Sequence, residues 1–268
     1  MRLFEAGLRK LIRRPATYIT FGLLIGLLSL IMLAVGATAR QQPGEGGRQA
    51  LLLVTFPGAY TLIVSFILGL GGLFAMTYGA AIAGSEWTWG MLKAAVARGE
   101  SRSRYQLLSF AAIALLVGVG LVVAVVVGVI VALIAASLAG VPTSGVTDAT
   151  ALGKLPELLA RGWFGVIEAG ALGFAIATLA RSQLAGVGVG IGVYFGETFA
   201  TLFLPDIVKY GPFNAASAVV ATGDGGGFGG GSPPPTLTPD TALIVVAAWL
   251  IGALLVTALF TERAEISG

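Results

Sequence analysis

The chain has 268 residues, 56% of them hydrophobic and 11% charged, with 40 Gly, no Cys and no His. A soluble globular domain carries about 25% charged residues, so this composition belongs in a bilayer. Without His or Cys there is no zinc site of the usual kinds, Ser-His triad, thiol nucleophile or haem ligand set, and a formal charge of +3 is too small to point to nucleic acid.

Residues 1–15 read MRLFEAGLRKLIRRP and place Phe4, Leu8, Leu11 and Ile12 on one helical face, with Arg2, Arg9, Lys10 and Arg13 elsewhere. Apolar spacing of four and three flanked by cations predicts a helix lying in the membrane interface. The alternative is a basic flank that only sets topology. Pro15 then favours a turn into a first span.

A spanning helix needs roughly 20 apolar residues. Six stretches meet or approach that length: 18–36, 59–83, 107–138, 163–180, 184–204 and 241–260. They predict an all-α polytopic membrane protein with six transmembrane helices over residues 18–264. The third stretch would reach roughly 48 Å as a helix, so it must tilt or protrude. Six spans put both termini on one side, where the segments hold eleven Lys and Arg. The opposite side holds five: Arg40, Arg48, Lys154, Arg161 and Lys209. The positive-inside rule then makes both termini cytoplasmic. The basic start and Ala37-Thr38-Ala39 also fit a signal peptide, but the apolar run exceeds the usual core of roughly 7–15 residues.

Residues 85–106, after the second span, form the most polar inner segment. Met91, Leu92, Ala95 and Val96 share a helical face there, with Glu86, Lys93 and Arg98 largely off it. Such a segment either docks in a groove of a cytoplasmic partner or is a solvated loop that sets topology. Outside, residues 139–161 form a moderately polar loop with room for a short surface helix at 152–161. Residues 223–235, GDGGGFGGGSPPP, have the composition of a flexible linker.

Two carboxylates fall within spans, Glu168 and Glu197, at similar depth. A charge at mid-bilayer costs on the order of 2.5–3.5 kcal/mol. The pair therefore reads either as a substrate- or proton-contacting site or as a hydrogen-bonded tie between spans four and five. Gly188, Gly192 and Gly196 recur every four residues on one face, which allows another helix to approach closely. Trp249, near the middle of the sixth span, either lines an amphiphile pathway or fills space between helices. No G-x-x-x-x-G-K-[ST] sequence is present, so ATP cannot be held in the P-loop manner.

Five features in order carry a family resemblance: the basic amphipathic start; GSEWTWGMLKAAVARGESRSRYQ after span two; ATLARSQLAGVGVGIGVYFGE joining spans four and five; YGPFNAAS at 210–217; and the ending LFTERAEISG. The chain resembles a permease subunit of the type 2 ATP-binding cassette exporters. That resemblance implies an elbow helix over residues 1–17 and a coupling helix within the loop 85–106. Glu86, Trp87, Trp89, Leu92, Lys93, Val96, Arg98 and Arg102 would then serve ATPase coupling, with Gly99 and Ser101 completing the turn into span three. It further implies two ATP-binding cassette ATPase subunits that bind ATP and Mg, while this chain holds no cofactor and no catalytic residue. A second permease, identical or different, would pair with it near spans one and five, in contact with membrane lipids and without nucleic acid.

The setting implied is the cytoplasmic membrane of a bacterium or archaeon, and the cargo a hydrophobic or amphiphilic substrate moved outward. Met91 stands where the family often has Thr, and Phe110 where it often has Lys. Neither departure damages the amphipathic docking surface, but both weaken the expectation of standard coupling geometry, and one reading of them is pairing with a different permease. The competing expectations are a proton-coupled secondary transporter using Glu168 and Glu197, and a non-transporting membrane anchor or assembly subunit.

Overall fold

The computed structural model describes residues 2–41, 44–220 and 237–264, and every regular element among them is helical. In chain order these are α1 (Arg2–Ile12), α2 (Pro15–Thr38), α3 (Glu45–Val54), α4 (Gly58–Thr88), α5 (Met91–Val96), α6 (Arg102–Ala139), α7 (Ala149–Ala180), α8 (Gln183–Ala200), α9 (Pro205–Val208), α10 (Pro212–Ala218) and α11 (Pro239–Arg263). Five stretches, Pro15–Gln41, Gly58–Thr88, Arg102–Ala139, Ala149–Ala180 and Pro239–Arg263, are long and apolar enough to cross a membrane. The chain is a helical multi-pass membrane protein.

Three elements differ from what hydropathy predicts. Residues 184–204 are not one apolar rod: α8 has 18 residues, and the chain then breaks into α9 and α10. Glycines and Glu197 dilute the apolar character of α8, and Pro205 and Pro212 lack the backbone N–H that would continue it. The expected short helix at 152–161 and the span at 163–180 are one helix of 32 residues with Pro156 inside it. Its start is set by Asp148, whose carboxylate accepts from Ala151 N at 2.8 Å, satisfying one of the orphan donors of a first helical turn. The third span is longer than its apolar core, because Arg102 to Gln106 extend α6 to 38 residues, about 57 Å. The Gly/Pro segment 223–235 lies outside the described residues.

The chain divides into two compact units. One comprises Tyr18–Gly71 and Val119–Ala160. Its interior is aliphatic, with Leu28, Met32 and Ile63 at no more than 1% exposure. Tyr60 Oη donates to Val146 O at 2.6 Å, and Arg40 Nη2 donates to Gly140 O at 2.8 Å.

The other unit comprises Met1–Thr17, Gly72–Gly118 and Arg161–Gly268. Here α4 and α7 run backbone against backbone. A Cβ on Gly79 would overlap the Gly170 carbonyl, and one on Gly173 would overlap the Met76 carbonyl. Phe174, fully buried, meets Phe110 of α6 edge-on at 5.7 Å. Between α7 and α8, Arg181 takes a left-handed conformation (φ 51), and Ser182 caps α8 by accepting from Ala185 N at 3.3 Å. The candidate site residues discussed below all belong to this unit.

Candidate functional site

At one end of the unit, polar side chains from α1, α4 and α6 converge. Glu86 is 1% exposed, close to the C-terminus of α4. A carboxylate so placed must be paired, and two donors reach it: the Lys10 ammonium from α1 and the Tyr105 hydroxyl from α6. Burial holds the Lys10 ammonium below the usual lysine range, opposed by the charge of Glu86. In the break between α1 and α2, Arg14 Nη1 donates to Ser85 Oγ at 2.8 Å, and its guanidinium lies 5.0 Å from the Trp89 ring centre. Thr17 and Tyr78 share a hydroxyl–hydroxyl bond of 2.7 Å.

The same end gathers the α7–α8 turn and the end of α11. Arg181 stacks over Trp87 and Phe260 at 5.1 and 5.5 Å. Arg102 Nη1 donates to Ala264 O at 2.7 Å, and Ser103 donates through both N and Oγ to Glu262.

The eight residues expected at a docking surface therefore part company. Glu86 and Leu92 are buried inside this chain, and Arg102 is bonded to the end of α11. Trp87 is half-buried beneath Arg181, and Val96 is half-buried on α5. Trp89, at 66% exposure, together with Lys93 and Arg98, faces outward. The α5 face formed by Leu92 and Ala95 packs inward, leaving Lys93, Ala94, Ala97 and Arg98 as the open side. Sequence reading missed Lys10, Arg14 and Tyr105.

Glu168 and Glu197 do not bond each other. Glu197, near the end of α8, accepts from Phe213 N at 3.4 Å and from Asn214 N and Nδ2 at 3.0 Å each. It satisfies the first-turn donors of α10 that would otherwise be unpaired. Gly211 permits this approach, because a Cβ there would sit 2.7 Å from the Glu197 carboxyl carbon. Helix α10 then packs on α11 through Ala215, Ala218, Val219, Ala242 and Val246. Trp249 Nε1 donates to Tyr210 O at 2.9 Å, so the segment after α8 lies beside the middle of α11. Glu168 is different: it is fully buried, and neither carboxyl oxygen has a hydrogen-bond partner among the described residues.

Gly188, Gly192 and Gly196 are exposed, and a Cβ added at any of them would meet nothing within 4 Å. The small-residue face of α8 is thus unused within the described residues, whereas Gly186 and Gly190 on its other side press against Ala177 and Met76. No known family model and no curated protein matches the chain.

Proposed function

We propose that this chain is the permease subunit of an ATP-driven exporter of hydrophobic or amphiphilic substrates, with ATP and Mg held by two separate ATPase subunits. The observation that carries the reading is the short helix α5, held at the end of a long spanning helix with Trp89, Lys93 and Arg98 outward. A mobile polar loop would transmit little force. Here the two ends of the loop are tied together, because Glu86 accepts from Tyr105 and from Lys10 of α1, and in this reading that tie passes a displacement of α5 to α1, α4 and α6. The chain has no phosphate-binding loop of its own, so in this reading ATP is held by a partner.

In this reading α1 is the elbow along the inner leaflet and α5 the coupling helix. Six crossings are made by α2, α4, α6, α7, the broken unit α8 to α10, and α11, with both termini cytoplasmic. The open glycine face of α8 meets a second permease, identical or different. The membrane is the cytoplasmic membrane of a bacterium or archaeon.

The test is isolation of the tagged full chain from its native membrane, scored for P-loop subunits and ATP hydrolysis. Two ATPase copies per pair of permeases are expected. The double substitution Lys93→Glu/Arg98→Glu should release them while the permease stays monodisperse. A complex lacking any nucleotide-binding subunit, or one indifferent to the double charge reversal, would overturn the proposal.

A further inference from the structure

At the polar end of the unit Glu86 is paired, and Glu197 is held as a cap of α10. The atoms left without a partner at the polar end, on Arg14, Trp87 and Gln106, are not carboxyls; Glu168 is the acid with both oxygens unbonded among the described residues. It lies on the most buried stretch of α7, and both of its carboxyl oxygens lack partners among the described residues. The elements packed around it offer nothing to hold a charge. From α4, Gly72 faces the adjoining Ala169 and the ring of Phe213, and Ala75 and Met76 face Gly170 and Gly173. From α10, Ala216 covers Gly165. None of these residues is titratable. Among the described residues, the titratable group acting on Glu168 is Glu197 of α8, a second acid whose oxygens are already engaged by Phe213 and Asn214.

A carboxylate in that place would be a buried anion with no counterion and no donor among the described residues, and with a second acid as its neighbour. The desolvation cost of such an ion is several kcal/mol even after relaxation, and proteins avoid it by neutralising the group. A neutral acid removes the charge but still leaves an O–H and a carbonyl unbonded, so the site has capacity for a proton and for water when the packing admits it.

We propose that Glu168 is a proton-binding site within the membrane: its carboxyl carries a proton while α7 is packed against α4 and α10, and surrenders it when that packing loosens and water enters. One turn before Glu168, Gly165 lies against Ala216 of α10, where an added Cβ would sit 3.2 Å from the Ala216 side chain. That close contact excludes water, whereas a small withdrawal of α10 from α7 opens the site. A permease working this way moves a proton with its conformational cycle, in addition to its cargo. This goes beyond the ATPase-driven reading and does not rest on it, since loss of ATPase docking would leave the buried acid where it is.

Infrared spectroscopy of the full chain in lipid nanodiscs tests it. At neutral pH the wild type should show the carbonyl stretch of a protonated carboxylic acid, at the high-frequency end typical of one without hydrogen bonds. Glu168→Gln should abolish the band and Glu197→Gln should keep it. In heavy water the band should shift, because the proton exchanges. A second measurement needs no variant: a hydrophobic carbodiimide, which requires a protonated carboxyl, should modify Glu168 in wild-type protein, with less adduct as the pH is raised. The absence of both a Glu168-dependent band and the adduct at neutral pH overturns the proposal, and a band unmoved in heavy water overturns the release step.

Discussion

Glu86 and Glu197 are both acids withdrawn from solvent in the described residues, and each is accommodated by a different device. Glu86 is neutralised by a side-chain cation and a hydroxyl, while Glu197 is held by amide donors at the start of a helix. The consequences of substitution differ accordingly. Lys10→Met or Glu86→Gln alone breaks a buried pair and should cost roughly 3 kcal/mol, the low end of the range because Lys10 retains 23% side-chain exposure. The double substitution should cost less than either single one, since no unpaired charge is left behind. Thermal unfolding of the four proteins in detergent measures this cycle, and strict additivity would contradict it. For Glu197, replacement by Ala strands the first-turn donors of α10 and should cost about 1–3 kcal/mol, whereas Gln retains an acceptor and should cost less.

At the scale of elements, the glycines of this chain fall into two sets that a sequence cannot separate. Gly79 and Gly173 lie in the α4–α7 seam, where an added side chain collides with a backbone carbonyl. Gly188, Gly192 and Gly196 face open space. Overpacking a tight contact commonly costs about 1–3 kcal/mol. Gly79→Val and Gly173→Val should therefore lower thermal stability of the isolated subunit, while Gly188→Val and Gly192→Val should leave it unchanged. If the α8 face joins a second permease, the latter pair should reduce the paired species on native gels. The division of α8 from α10 belongs to this scale too. Proline at 205 and 212 signals a break, but the bond of Trp249 to Tyr210 and the packing of α10 on α11 place the broken segment beside α11, and Asn214 ties it back to Glu197 of α8.

For the whole molecule, the absence of Cys is an experimental convenience as well as a chemical exclusion, because any introduced thiol is the sole one. Under the proposed topology, Glu45→Cys and Lys154→Cys should react with a membrane-impermeant maleimide in intact cells. Lys93→Cys should react only after permeabilisation. The reverse pattern would invert the orientation.

Amino-acid sequence alone determined that the chain is helical and lies in a membrane, because hydrophobic length and the scarcity of charge are properties of composition and periodicity. It also marked the amphipathic start, the polar loop at 85–106 and the two intramembrane acids as positions of interest. Tertiary structure decided what those positions are. It turned Glu86 from a surface residue into an internal strut, joined the helix at 152–161 to the span after it, and divided the span expected at 184–204. It also separated Glu197, which is fully bonded, from Glu168, which is not. The physical reason is that burial and hydrogen-bond satisfaction depend on neighbours brought from distant parts of the chain. Lys10 lies 76 residues from Glu86, and no local pattern encodes that meeting.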